Sequence, residues 1–212
     1  MTATGLSFAQ LYQPPGAEFD ALLRLYEDAI PARERKSGEA LRAMIASPDY
    51  KVVVTRRSGD LIGFAILLVG QAMGLLEYMA VDRRQRGGGV GSALYRHCRE
   101  NELSSTLPLL AEVDSDRETA ADQHLRARRK QFYRRLGCKQ IIGLDYILPL
   151  PGTGKPPLMD LLVDSHIPAD FAPRAIVAEW LREVYLLAYG CRNDDLRLLT
   201  MIKSLPNKVP LR

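Results

Sequence analysis

The sequence predicts a mixed α/β fold, in which helices flank a central sheet and a helical extension follows. Strand-like runs of apolar and β-branched residues alternate with stretches of helical spacing through the first three quarters of the chain. Residues 50–55 and 61–69 flank a charged turn at 58–60, which indicates an early hairpin. Residues 141–163 indicate a late one. Hairpins on both sides of the alternation favour a mixed sheet over a purely parallel one.

Apolar spacing and chain breakers locate the elements in order. Phe19, Leu22 and Tyr26 recur at helical spacing, and Pro31 ends that helix. Gly137 stands where the C-terminal cap of a later, basic helix belongs. Strands are expected at residues 6–12, 50–55, 61–69, 74–81, 108–113, 141–148 and 157–163. Helices are expected at residues 19–30, 41–45, 90–103, 122–136, 173–189 and 194–204.

Length and composition indicate one core domain followed by an extension. The chain has 212 residues, of which 47% are hydrophobic and 25% charged, as in ordinary soluble domains. We assign residues 1–163 to the core and residues 164–212 to a C-terminal helical extension packed on it. In the extension, Ile176, Trp180, Val184 and Leu187 form one apolar stripe. The sequence leaves three roles open for the extension: packing on the core, the interface of a homodimer, or a lid over a substrate site.

Charge and segment composition argue against several classes of protein. The net charge of +4 is too small to indicate nucleic-acid binding, although residues 61–150 hold 13 basic against 10 acidic groups. The uncharged, apolar stretch at residues 61–76 has 16 residues, whereas a membrane span needs about 20 apolar ones. The N-terminal residues lack the pattern of a secretory signal, and the three cysteines form no Cys-x-x-Cys pair. We therefore expect a cytoplasmic protein with reduced thiols.

The most informative segment is a glycine-rich turn between a strand and a helix. Residues 81–94 read VDRRQRGGGVGSAL. Glycines let successive backbone N–H groups and the positive end of a helix face one anion, and the arginines add positive charge beside them. A Walker loop would need Gly-Lys-Ser/Thr, and a dinucleotide fingerprint would need a third glycine where Leu94 stands. The turn therefore predicts a phosphate site of another kind.

Two signatures indicate that kind of site. Residues 86–91 read RGGGVG after a strand that ends in Ala-Val-Asp, and Phe132 and Tyr133 precede the helix-ending Gly137. Together they resemble the GNAT superfamily of N-acetyltransferases, over about residues 6–163. The resemblance implies a mostly antiparallel central sheet, acetyl-CoA as co-substrate and no metal. It also implies transfer of the acetyl group to a primary amine of a small molecule, peptide or protein, by direct attack in a ternary complex.

Carried over by position, the resemblance assigns residues to acetyl-CoA binding. The backbone of residues 86–92 would hold the pyrophosphate, residues 79–81 would pair with the pantetheine arm, and N–H groups near Met79 would stabilise the oxyanion. Arg126 stands where many relatives have asparagine, so it or another cation of its helix would instead meet the phosphates. The assigned residues are Met79, Ala80, Val81, Arg86, Gly87, Gly88, Gly89, Val90, Gly91, Ser92, Arg126 and Phe132.

Three side chains are the candidates for acid and base catalysis. An alkylamine with a pKa of about 10 must lose a proton before it attacks a thioester. Glu77 is the leading base because it is a carboxylate in an otherwise apolar strand, although a structural ion pair with an arginine would also explain it. Glu112, which alternates with Asp114 on the next strand, is the second candidate, as a base or as a clamp on a cationic substrate. The second signature implies that Tyr133 protonates the departing thiolate, unless it is a core aromatic residue.

Two other functions stay open at this stage. A GNAT-like fold can bind CoA as a sensor without catalysis, and the arginines of residues 117–135 can belong to a basic nucleic-acid-binding module. The small number of aromatic residues for base stacking counts against the second. His97, His124 and His166 have no metal-ligand spacing and are expected at the surface or in packing. The sequence specifies neither the acceptor amine nor the length of the acyl donor.

Overall fold

The computed structural model describes residues 5–117, 122–149, 157–164 and 169–212, in two units. The first unit comprises Met1–Val69 and Leu76–Ser105, and the second comprises Gly70–Leu75 and Thr106–Arg212. The first unit contains β1 (Leu6–Leu11), α1 (Gly16–Ala29), α2 (Gly38–Ala46), β2 (Tyr50–Arg57), β3 (Asp60–Val69), most of β4 (Gly74–Val81) and α3 (Val90–His97). The second contains β5 (Leu109–Asp114), α4 (Gln123–Arg135), β6 (Lys139–Gln140), β7 (Met159–Asp164), β8 (Phe171–Pro173), α5 (Arg174–Leu187), α6 (Leu196–Ser204) and β9 (Lys208–Pro210).

The early hairpin predicted from the sequence is confirmed in the first unit. Its strands lie in the order β1-β2-β3-β4, and β2 pairs antiparallel with both β1 and β3. Arg57 lies opposite Asp60 at the hairpin end. Ser58 and Gly59 between them both have positive φ, 51° and 92°, as in the two-residue turns whose twist suits a hairpin. The pairing register shifts between Thr55 and Arg56, and beyond this irregularity the central residues of both strands are buried.

The helices of the first unit pack on these strands through one apolar face each. Phe19, Leu22 and Tyr26 are buried along α1, as their spacing predicts. Helix α1 contacts β3, α2 contacts β2, and α3 contacts both β1 and β3. Ser37 is the N-cap of α2, and its Oγ accepts the N–H of Ala40 at 3.1 Å. This cap starts α2 directly after segment 31–37.

In the second unit the strand order is β5-β7-β6, with antiparallel pairing of β7 to both neighbours. Helix α4 contacts β5 and ends at the predicted cap, because Gly137 has φ of 99°. The N–H of Cys138 donates to the carbonyl oxygen of Tyr133 at 3.1 Å across that cap. The cap therefore fixes the last turn of α4, which holds Tyr133.

The strand predicted at residues 141–148 is wrong. Strand β6 comprises Lys139–Gln140 alone, and after it Ile141 and Tyr146 make only isolated bridges. Gly143, with φ of 81°, turns the chain between them. Ile141, Leu144 and Tyr146 are buried although they belong to a loop. The apolar composition of this loop therefore resembles that of a strand. Residues 150–156, between the last two predicted strands, and His166 lie outside the described residues.

The apolar stripe predicted for the extension is wrong in part. Trp180 and Val184 are buried in α5, but Ile176 and Leu187 are 40% and 37% exposed. The buried face is rotated and comprises Val177, Ala178, Trp180, Leu181, Val184 and Tyr185. The described part of the extension belongs to the second unit, and the boundary at residue 163 stays a prediction.

A carboxylate of α5 holds the turn that precedes β4. Oε1 of Glu183 accepts the N–H of Gln71 at 2.7 Å, and Oε2 accepts those of Ala72 and Met73 at 2.8 and 3.1 Å. Gly70 makes room for this carboxylate, since a Cβ at that position would lie 2.5 Å from Cδ of Glu183. The extension is thus bonded to the segment that leads into β4.

The predicted fold class, a mixed α/β fold with mostly antiparallel strands flanked by helices, is confirmed. Among the helices of the described residues, none has both the length and the apolar composition of a membrane span.

Candidate active site

The glycine-rich turn between β4 and α3 leaves open space beside its backbone. Gly87 and Gly89 have φ of 86° and 79°, in the left-handed region that favours glycine, and Gly89 is the N-cap of α3. Gly88 has no positive φ, and the nearest atom to a Cβ there would be the carbonyl oxygen of Gln85 at 3.9 Å. Neither backbone strain nor crowding explains the glycine at position 88. Its missing side chain therefore keeps the outside of the turn open.

Arginine side chains surround the same end of β4. Nη2 of Arg83 donates to the carbonyl oxygen of Asp28 at 3.3 Å, and Nε of Arg86 donates to that of Val81 at 3.1 Å. A cleft of about 270 Å³ beside them is lined by residues of α1 and by segment 81–86, including three arginines. Cationic side chains next to an amide-rich turn are a combination that suits a phosphate group.

Residues 79–81, predicted to pair with the pantetheine arm, form the half-buried end of β4. The N–H of Asp82 donates to the carbonyl oxygen of Ile62 at 2.8 Å and holds this end on β3. Gly63 permits the close approach of the two strands, because a Cβ there would lie 3.2 Å from the carbonyl oxygen of Ala80. The pairing with pantetheine stays a prediction.

Glu77 is a nearly buried carboxylate in β4. Its side chain is 9% exposed, and its Oε1 lies 2.6 Å from Nζ of Lys36. Its Oε2 is buried and forms no hydrogen bond of ordinary length among the described residues, although the hydroxyl of Tyr50 faces the carboxylate as a donor. Burial, and next the negative charge of Glu77, raise the pKa of the Tyr50 phenol. The ion pair anticipated as the alternative to a catalytic role is therefore present, with a lysine in place of the arginine.

Glu112 in β5 accepts hydrogen bonds from two phenols. The hydroxyl of Tyr146 donates to Oε1, and that of Tyr189 donates to Oε2 at 2.6 Å. Burial, and next the charge of Glu112, raise the pKa of Tyr146, so this phenol keeps its proton and remains a donor. Both oxygens of Glu112 thus face donors, which favours Glu77 over Glu112 as a carboxylate with an oxygen ready to take a proton.

Tyr133 and Phe132 lie in the last turns of α4. Tyr133 is 8% exposed, and Phe132 is half-buried beside it with its ring edge-on at 5.2 Å between centroids. Burial raises the pKa of the Tyr133 phenol, which therefore stays protonated at neutral pH. A protonated phenol has the proton that a general acid needs, whereas its burial also suits a core residue. Acid catalysis by Tyr133 and acetyl-CoA binding by Phe132 stay predictions.

Three of the six Lys and Arg side chains of α4 are paired with aspartates. The pairs include Arg126 with Asp122 at 3.1 Å, Arg129 with Asp114 at 2.9 Å and Lys130 with Asp160 at 2.7 Å. Lys130 also pairs with Asp116. The helix is therefore less available to phosphates or nucleic acid than its sequence suggests. A contact from Arg126 to the phosphates of CoA stays a prediction.

The structure groups the candidate residues by unit. The first unit holds Glu77, residues 79–81 and the turn at residues 86–92 along β4 and directly after it. The second unit holds the other candidates, namely Glu112, Arg126, Phe132 and Tyr133.

Sequence reasoning missed the partners of both carboxylates. These partners are Lys36 for Glu77, and Tyr146 and Tyr189 for Glu112. The two tyrosines are 34 and 77 residues distant from Glu112 along the chain. No local pattern in the sequence signals contacts of that range.

Comparison with known proteins gives one family match and several similar structures. Residues 48–139 match the family model described as acetyltransferase (GNAT) domain, a range that contains the early hairpin, the glycine turn and Tyr133. No curated protein matches the chain. A structure from Bacteroides thetaiotaomicron, described as belonging to the GNAT family of acetyltransferases, is 21% identical with a TM-score of 0.72, over 88% of this chain and 99% of that one.

Two further solved structures share the fold. A ribosomal-protein alanine N-acetyltransferase from Escherichia coli is 19% identical with a TM-score of 0.56, over 74% of this chain and 92% of that one. An aminoglycoside 6′-N-acetyltransferase solved with coenzyme A is 19% identical with a TM-score of 0.59, over 77% of this chain and 98% of that one. At these identities the likeness concerns the fold.

Proposed function

We propose that this chain, whose residues 48–139 match the GNAT acetyltransferase domain model, moves an acetyl group from acetyl-CoA to a primary amine by direct attack in a ternary complex. The acceptor is a small molecule or a peptide or protein amine. The observation that carries the proposal is the glycine turn before α3, with its two left-handed glycines and the open space at Gly88.

The residues of this turn fit the pyrophosphate of CoA. Backbone N–H groups that follow left-handed glycines, together with the first turn of α3, supply donors for phosphate oxygens. The arginines of segment 83–86 add positive charge at the same place. When bound, acetyl-CoA supplies a thioester carbonyl that an amine can attack. Residues 79–81 would align the pantetheine arm, and an N–H near Met79 would donate to the oxyanion.

Glu77 is proposed to take the proton from the acceptor amine. Its burial and the lack of an ordinary-length hydrogen bond at Oε2 among the described residues support this role, since that oxygen can receive an ammonium proton. Tyr133 is proposed to give a proton to the CoA thiolate because of its place in the second signature; the burial that raises the pKa of its phenol makes it a weaker acid. Free thiols at Cys98, Cys138 and Cys191 support a cytoplasmic location.

The function is tested by ligand-induced stabilisation and by release of free CoA thiol across a panel of amines. Acetyl-CoA at 100 times its Kd stabilises the fold by about 2.7 kcal/mol, so the Tm should rise by roughly 5 to 10 °C. At least one primary amine should then release thiol. A Tm shift without release of thiol in the presence of any amine would indicate a sensor. If the Tm does not shift, the assignment of an acetyl-CoA site is wrong.

Replacing Gly88 by Val should weaken acetyl-CoA binding about 10-fold or more, because the side chain fills the space left for phosphate oxygens. The fold should be retained, since a Cβ there meets no atom closer than 3.9 Å. Isothermal titration measures the affinity, and Gly16→Val is the matched control because a Cβ there also enters open space. Equal affinities in the two variants would contradict the assignment of the turn.

Replacing Tyr133 by Phe should lower kcat about 10²-fold or more and leave the Kd of acetyl-CoA nearly unchanged, because only the hydroxyl is removed. Steady-state thiol release and acetyl-CoA titration measure the two quantities. Tyr185→Phe is the control, because it removes the hydroxyl of another buried phenol, which donates to the carbonyl oxygen of Ile147. Unchanged kcat in Tyr133→Phe would leave Tyr133 as a core residue.

A further inference from the structure

An amine of the chain itself lies at the carboxylate proposed as the catalytic base. Nζ of Lys36 is 2.6 Å from Oε1 of Glu77, and the lysine side chain is 32% exposed. The amine therefore has the position of an acceptor about to give a proton to Glu77. It is also reachable from solvent.

Hydrogen bonds on both sides of Lys36 hold it there. The N–H of Lys36 donates to the hydroxyl of Tyr26 at 2.8 Å, and the hydroxyl of Tyr78 donates to the carbonyl oxygen of Glu34 at 2.9 Å. Tyr78 follows Glu77 in β4, so the segment carrying Lys36 is bonded to the same strand as the base. The position of the amine is thus set by the backbone around it.

The expected site of the thioester lies within reach of this amine. Met79 is two residues beyond Glu77 on the same face of β4, which is about 7 Å at the usual rise per residue. A lysine side chain that extends to Glu77 needs only to pivot about its stem to approach a carbonyl near Met79. Because both groups belong to one chain, the effective concentration of the amine is high.

We propose that Lys36 is an intramolecular acetyl acceptor, so that the protein acetylates its own Lys36. The inference rests on the proposed function, because it uses the same donor and the same base. Glu77 takes one proton from the ammonium, and the lone pair of Nζ attacks the thioester carbon. The new C–N bond forms as the C–S bond breaks, the nitrogen gives up its second proton, and the CoA thiolate gains one proton and leaves as the thiol. The resulting amide is neutral and no longer forms the ion pair with Glu77.

The test is incubation of the purified protein with acetyl-CoA and no added amine, followed by peptide mass spectrometry at each lysine. Lys36 should be acetylated about 10-fold faster or more than the exposed Lys203 and Lys208. The rate constant should not depend on protein concentration, and denatured protein should lose the preference. Lys36→Arg should lose the fast acetylation, whereas Lys203→Arg should retain it at Lys36.

Each alternative result has a separate meaning. If added amines release thiol but Lys36 reacts no faster than Lys203, the inference is wrong and the proposed function stands. A rate that grows with protein concentration would also overturn the intramolecular reaction. If no added amine releases thiol and no lysine is acetylated, the proposed function fails together with the inference. The comparison of lysines within the unaltered protein needs no variant and does not depend on how Lys36→Arg folds.

Discussion

Replacing Glu77 by Gln is expected to lower kcat/KM for the acceptor amine by about 10²- to 10⁴-fold at neutral pH, with the Kd of acetyl-CoA unchanged. The amide has the shape of the carboxylate but takes no proton, so the variant depends on amine that is already neutral. With an amine pKa of about 10, that fraction rises about tenfold per pH unit. The rate of the variant should therefore climb steeply with pH where that of the parent protein is flatter. Thiol release from about pH 6 to 9 measures both profiles.

Glu112→Gln is the matched comparison for this prediction, because it makes the same chemical change in the second candidate. A smaller loss and the parent pH profile are expected, since the two phenols bonded to Glu112 leave its oxygens occupied by donors. If Glu112→Gln shows the large loss and the steep profile while Glu77→Gln does not, the base is Glu112. Melting curves of both variants check that the fold is retained.

Replacing Glu183 by Gln is expected to lower the free energy of unfolding by about 2 to 3 kcal/mol. The carboxylate accepts three backbone N–H groups, and an amide at that position turns its own NH₂ group towards at least one of them. Urea unfolding measures the change. Glu179→Gln, an exposed position of the same helix, should change the stability by less than about 0.5 kcal/mol.

Gly70→Ala probes the same contact from the other side. Its Cβ would lie 2.5 Å from Cδ of Glu183, so the carboxylate must withdraw from the three N–H groups. The single variants Gly70→Ala and Glu183→Ala should each be destabilised, and the double variant should be little worse than Glu183→Ala alone. Additive losses would show that the two residues act independently and would contradict the contact.

Local patterns were sufficient to predict most of the fold. The hairpin followed from strand runs around Ser58 and Gly59, and the end of α4 followed from Gly137, because each feature is set by residues next to it. Residues 141–148 were misassigned because buried loop residues and strand residues have the same apolar composition. The face of α5 was misassigned because residues 176–188 are apolar except at Glu179, Arg182 and Glu183. Two adjacent apolar stripes of this helix therefore look alike in the sequence.

The candidate site, like the fold, was predictable where it is built from neighbouring residues and not where distant segments meet. The glycine turn was visible in the sequence because the anion site is built from consecutive residues, and the resemblance to GNAT acetyltransferases that it supported is confirmed by the family match. The surroundings of Glu77 and Glu112 were not visible, since Lys36, Tyr146 and Tyr189 reach them from distant segments. The sequence therefore supplies the candidate carboxylates, and only the fold shows which of their oxygens are already bonded.

The bond between α5 and the turn before β4 also constrains the order of folding. Glu183 follows the N–H groups that it accepts by 110 to 112 residues, so the chain emerging from the ribosome presents that turn long before its acceptor exists. Contacts of such separation carry a large loop-closure entropy and form late. Segment 70–73 therefore reaches its final form only after α5 has been synthesised.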